Sequence, residues 1–140
     1  MPHPHALITG GSSGIGHALA KQLAATGYDL SLVARRPAML AEAAREIGSH
    51  FVRPGQRVLT FPADVAVAAE AAAAVESAVA ALGVPDLVVT SAGIAIPGYF
   101  EDVPLEVFER TMAVNYFGSL YVVRGLLPAM RARKSGRILF

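Results

Sequence analysis

The sequence predicts a doubly wound α/β fold: a parallel sheet of strand order 3-2-1-4-5 with helices on both faces. Three observations predict it. Short apolar runs without polar alternation recur along the chain, helical stretches separate them, and a glycine-rich turn joins the first run to the first helix. Strands that are apolar throughout belong to sheets covered on both sides. Right-handed crossovers then leave a ligand crevice where the strand order reverses.

Residues 5–9 form the first run and end in glycine-rich sequence; 15–25 follow with Ile15, Leu19 and Leu23 at helical spacing, until Gly27 closes the helix. Residues 30–34 are a second buried strand. Pro37 opens a helix that ends near Gly48, and 57–61 make a third strand. The Ala-rich stretch 67–82 is a third helix, stopped by Gly83 with Pro85 just beyond. A fourth strand occupies 86–90. Pro104 sits in a first-turn position, and a long helical region runs from it to about Arg133 before Gly136 introduces a fifth strand, 137–140. That strand is expected to be cut in or near its middle. Residues 1–140 are therefore expected to be the N-terminal, cofactor-binding part of a single domain, with no second domain among them.

Composition narrows the function classes. Of 140 residues 54% are hydrophobic and 16% charged, which excludes a disordered chain. Twelve basic against eleven acidic side chains give a net charge of +1, so nothing electrostatic calls for nucleic acid or acidic lipid as partner. Cysteine is absent, which removes thiol nucleophiles, disulfides and cysteine metal sites and fits a reducing, cytoplasmic setting. His3 and His5 have no third ligand in view, so no metal is expected. No stretch approaches the ~20 apolar residues of a membrane span.

Gly10, Gly14 and Gly16 lie between the first strand and the first helix, where backbone N–H groups and the helix dipole can face a pyrophosphate. Cofactor choice is written at the end of the second strand. A carboxylate there would bond the adenosine ribose of NAD and repel a 2′-phosphate, whereas this chain has Ala34 followed by Arg35 and Arg36. Two guanidinium groups suit a phosphate. The competing reading is a solvated basic pair at a helix start, although like charge there opposes the dipole and offers no stability reason for the pair. Asp64 follows the third strand and can cap the third helix. Asn115 falls among Met112, Val114, Phe117, Leu120, Val122 and Val123, where a buried amide needs partners. Gly118, Gly125 and Pro128 are expected to break the regularity of that helix. Leu105, Phe108 and Met112 make one amphipathic face, with Glu106, Glu109 and Arg110 outward. A helix carrying Leu120, Val123, Leu126 and Leu127 calls for a packing partner, and the complete protein is expected to be a homo-oligomer.

The spacing Thr9-Gly10-x-x-x-Gly14-x-Gly16, with Ser12, Ser13 and Ile15 inside it, resembles the cofactor loop of the short-chain dehydrogenase/reductase family. Ser91-Ala92-Gly93 resembles the end of that family's N-N-A-G motif, with Thr90 and Ser91 in place of both Asn, and Val114-Asn115-x-x-Gly118 resembles its V-N-x-x-G segment. The resemblance spans essentially all 140 residues. It implies NADPH as cofactor, held by the loop, by Arg35 and Arg36, by Asp64-Val65 at the adenine and by the Ser91-Ala92-Gly93 backbone. It also implies that Asn115 bends its helix and holds a water in a proton relay. The family's acid is a Tyr with Lys four residues later, helped by an upstream Ser. None of Tyr28, Tyr99, Tyr116 or Tyr121 has Lys in that position. The 140 residues alone are therefore expected to bind cofactor without turnover.

Phe100-Glu101-Asp102 and the run from Phe108 to Tyr121 extend the similarity toward the members that reduce the 3-keto group of a long-chain sphingoid base. Met39 stands where those members tend to carry Lys. A small-molecule ketone is thus the implied substrate. A short-chain reductase acting on another carbonyl and a nonenzymatic nucleotide-binding module remain the alternatives.

Overall fold

The computed structural model describes residues 2–140. Five parallel strands, β1 (His5–Thr9), β2 (Asp29–Ala34), β3 (Val58–Pro62), β4 (Leu87–Thr90) and β5 (Arg137–Leu139), lie in the order β3-β2-β1-β4-β5. The helices between them are α1 (Gly14–Ala25), α2 (Pro37–Gly48), α3 (Ala68–Leu82), α4 (Leu105–Met112) and α5 (Gly118–Arg133). The doubly wound order expected from the apolar strands is the one found. Pro62 is tolerated because it closes an edge strand, where a missing donor costs no ladder bond.

The sheet divides two cores. Leu7, Val33 and Val88 face α3 and α5 and pack on Val75, Val122, Leu126 and Met130. Ala6, Ile8, Leu30, Leu32 and Val89 face α1 and α2, where Ala20, Ala24, Leu40 and Ile47 meet them. Period-two alternation along β1 sends Leu7 to one core and its neighbours to the other, which is why the whole strand is buried. Each such Leu or Ile contributes roughly 1.5–3 kcal/mol of transfer free energy.

Three expectations about helix faces are corrected. In α1 Leu19 and Leu23 pack against the core as expected, but Ile15 is 82% exposed and the buried positions are Gly16, Ala20 and Ala24, whose small size lets the helix lie close to the sheet. The helical region after Pro104 is continuous yet contains a π-helical turn, 113–117, between α4 and α5. Gly125 and Pro128 leave α5 unbroken, so the irregularity sits at Asn115 instead. In α5, Leu126 turns inward, leaving Leu120 and Leu127 about two-fifths exposed. Among the described residues no helix is long and apolar enough to cross a membrane.

His5 is the polar member of β1. Its Nδ1 meets the Gly83 carbonyl at 2.9 Å and its Nε2 the Ser31 hydroxyl at 2.9 Å. The carbonyl can only accept, so Nδ1 carries the proton and Nε2 accepts from Ser31. Burial drives the imidazole below its ordinary 6.5, against the Gly83 bond and the Asp86 and Asp29 charges. Above that value both folded and unfolded chains are neutral at His5. As pH falls through about 6.5 the unfolded chain takes up a proton that the folded chain refuses, so stability declines until the lowered folded value is reached. Urea unfolding between pH 8 and 5 should show the wild type losing up to about 1.4 kcal/mol per pH unit more than His5→Gln. Parallel profiles for the two proteins would remove His5 as the cause.

Candidate functional site

A cleft opens at the C-terminal ends of β1 and β4, where the strand order reverses. The β1–α1 turn forms its floor. Gly10 has φ +69° and lies so close to β4 that a Cβ would stand 2.9 Å from the Ala92 backbone. At Gly16 a Cβ would fall 2.5 Å from the Gly10 carbonyl oxygen. Larger residues at either position would push the turn out of the cleft. Thr9 locks the arrangement by accepting the Ala92 N–H on its hydroxyl at 3.2 Å. Ser13 is the α1 N-cap, but its hydroxyl makes no capping bond, so the first-turn N–H groups are left to a ligand.

Around this floor the structure brings together Gly10, Ser12, Ser13, Arg35, Arg36, Asp64, Val65, Ala92 and Gly93. Gly14 begins α1, Gly16 supports the turn from behind, Ser91 lies against Gly16, and Ile15 projects to solvent. Val33, Ala34, Ala63, Ile94 and Val114 complete the walls; of these only Val114 falls in a motif, and the others are ordinary apolar positions that spacing does not mark. Arg35 and Arg36 are exposed at the rim, at the N-terminus of α2, and no carboxylate ends β2. A pyrophosphate and a phosphorylated ribose both fit this donor set.

Asp64 does not cap α3, whose N-cap is Val67. Its Oδ1 accepts the Ala66 N–H at 3.0 Å and its Oδ2 accepts from the Arg110 guanidinium at 2.7 Å. Partial burial acts to raise the carboxyl, but the Arg110 and Ala66 bonds and the charges of Arg110 and Arg35 outweigh it and hold the group below its ordinary 3.8. Arg110 thus points inward, contrary to the outward position that its helical spacing suggested.

Asn115 lies in the π-helical turn, and its residue is exposed, not buried as expected. Its Oδ1 accepts the Ile94 N–H at 2.8 Å and its Nδ2 donates to the Ile94 carbonyl at 2.9 Å. This reciprocal pair ties the turn to the segment leaving β4. Beside it lies an apolar basin of about 690 Å³, lined chiefly by Ile94, Ile96, Phe100, Val107, Phe108 and Met112. Ile94 belongs to both the cleft and the basin, so the two adjoin at Ile94, beside Asn115. Lys21 is occupied by Glu46 at 2.9 Å, and neither Lys21 nor Lys134 lines the cleft.

A parallel sheet with a phosphate-binding turn at its switch point defines a dinucleotide-binding α/β protein. Residues 4–140 match the short chain dehydrogenase family, and the chain belongs to it. It is 37% identical over 141 residues to a 3-ketodihydrosphingosine reductase of Bos taurus and 36% identical over 137 residues to a 3-dehydrosphinganine reductase of Danio rerio. The alignments cover 100% and 97% of this chain, but only 42% and 41% of those proteins. Among solved structures, L-sorbose reductase from Gluconobacter frateurii, complexed with NADPH and L-sorbose, superposes with a TM-score of 0.89 at 36% identity. That superposition covers 99% of this chain and 51% of that one. A short-chain dehydrogenase/reductase of Serratia marcescens superposes at 0.83 with 30% identity, over 98% of this chain and 54% of that one.

The Asn115–Ile94 pair makes a stability prediction. Asn115→Ala should cost about 1 kcal/mol by removing two exposed hydrogen bonds whose Ile94 backbone partners then turn to water. Asn115→Asp should be at least as harmful at pH 7, where a carboxylate faces the Ile94 carbonyl, and should recover in part when acid protonates it. Thermal unfolding at pH 7 and pH 4 checks both, against the wild type at each pH.

Proposed function

We propose that the cleft binds NADPH and that the protein carrying this segment is an NADPH-dependent reductase of a ketone, the 3-keto group of a long-chain sphingoid base being the favoured substrate. The observation that carries the cofactor reading is the pair Arg35 and Arg36 at the rim beside the glycine turn, with no carboxylate ending β2. In this reading the N–H groups of the turn and the hydroxyls of Ser12 and Ser13 hold the pyrophosphate. Arg35 takes the 2′-phosphate with Arg36 beside it, and Asp64 and Val65 flank the adenine. Thr9, Gly14, Ile15, Gly16, Ser91, Ala92 and Gly93 shape the backbone on which the dinucleotide rests. The bound nicotinamide would supply a hydride to the carbonyl carbon.

The apolar basin supports the substrate reading. Its aliphatic and aromatic lining suits a hydrocarbon chain and meets the cofactor cleft at Ile94, beside Asn115, where a carbonyl would have to lie. Asn115 is assigned to orient the water of the proton relay. The proton donor is assigned by family resemblance to a Tyr-x-x-x-Lys pair and a Ser that residues 1–140 do not contain, so this chain alone should bind NADPH without reducing the ketone. The exposed Leu120 and Leu127 on α5 favour self-association of the complete protein.

Arg35→Ala should weaken NADPH binding about ten-fold or more, the worth of charge-assisted bonds to one phosphate, and leave NADH within about two-fold. Fluorescence titration with each nucleotide measures this. An equal loss for both would take Arg35 out of the phosphate site.

A further inference from the structure

We propose that Arg110 is a positioning residue that couples the adenosine end of the cleft to helix α4, so that a nucleotide filling that end steadies the wall of the apolar basin. The inference rests on the reading of the cleft as an NADPH site. Helix α4 contributes no buried residue to either core; Leu105 is 68% and Met112 52% exposed. One of its side-chain hydrogen bonds, Thr111 to the Val107 carbonyl, stays within the helix. Among the described residues, the Arg110–Asp64 bond is the only side-chain hydrogen bond or ion pair that ties α4 to the sheet half of the molecule.

The far end of that bond is firmly placed. The Asp64 N–H donates to Glu70 at 2.7 Å, and its Oδ1 holds the Ala66 N–H, so the carboxylate is fixed at the cleft wall between Ala63 and Val65. On the helix, Val107, Phe108, Thr111 and Met112 surround Arg110 in sequence and line the basin. A helical turn moves as a unit, so whatever fixes Arg110 fixes that wall.

Charge gives the coupling its direction. Asp64 faces two cations, Arg110 in direct contact at 2.7 Å and Arg35 on the wall of the same cleft. A 2′-phosphate that engages Arg35 leaves Arg110 as the remaining counter-ion of Asp64, and the pair tightens as the cleft fills. The adenosine end alone should therefore suffice, without the nicotinamide.

Hydrogen exchange across residues 105–112 of the protein as its gene encodes it tests this, using NADPH and adenosine 2′,5′-bisphosphate as probes. In the wild type both ligands should slow exchange in α4 several-fold. Arg110→Met should still bind NADPH, several-fold more weakly, but lose that protection, and Arg110→Lys should restore at least half of it. In turnover Arg110→Met should raise KM for the 3-keto sphingoid base more than it lowers kcat. Should Arg110→Met fail to fold, Asp64→Asn removes the charge from the other side at unchanged size and should give the same loss. Protection of α4 that survives in these variants, or that is absent in a wild type with NADPH bound, would overturn the proposal. If neither probe binds the wild type, the cofactor reading itself falls, and the coupling with it.

Discussion

At Gly10 and Gly16 the backbone of the first turn runs so close to β4 and to itself that no side chain fits, with 2.9 Å and 2.5 Å left for a Cβ. This close approach governs the rest of the site. It lowers the start of α1 onto the ends of β1 and β4, lets Thr9 reach the Ala92 N–H, and leaves the first-turn N–H groups facing the same opening as Arg35 and Arg36. The helix dipole and the two guanidinium groups then act on one volume, which no arrangement with a bulkier turn would permit.

The two halves flanking that opening are held by different means. Between β1 and β2 the ladder, the buried aliphatic side chains and the His5–Ser31 bond fix the cofactor side rigidly. Across the cleft, the segment from Ile94 to Met112 is largely exposed and depends on a few discrete polar contacts, notably Asn115 with Ile94 and Arg110 with Asp64. Regions held by few buried contacts open most readily. The molecule thus lines its apolar basin with a sparsely anchored wall.

The five strands and the position of the glycine turn were legible because they are local: apolar runs, glycine spacing and Pro37 each act within a few residues of themselves. The sheet order, which pairs β1 with β4 about 80 residues away, followed instead from the right-handed crossover rule. The site was legible where it is built from backbone and strand ends, as at Gly10, Arg35 and Ala92. It was not legible where partners lie far apart in sequence. Arg110 finds Asp64 across 46 positions, and helical spacing alone set it facing solvent. Asn115 was misjudged for a related reason, since its apolar neighbours suggested burial while the π-helical turn rotates it toward the Ile94 backbone. In α1 hydrophobicity marked Ile15, Leu19 and Leu23; Leu19 and Leu23 do pack against the core, but Ile15 projects outward and the closest approach to the sheet falls to Gly16, Ala20 and Ala24.

The π-helical turn at 113–117 carries one residue more than a regular α-helical course would. Each residue of an α-helix advances the side chains by about 100°, so that extra residue acts as a rotational offset between α4 and α5. It allows Val122, Leu126 and Met130 to face the sheet while, one helix earlier, Arg110 reaches the cleft and Phe108 and Met112 face the basin. Shortened by a single residue and wound regularly, the same amino acids would keep their order and their helicity yet present the wrong face. The identity of the basin wall is therefore set by winding number as much as by sequence.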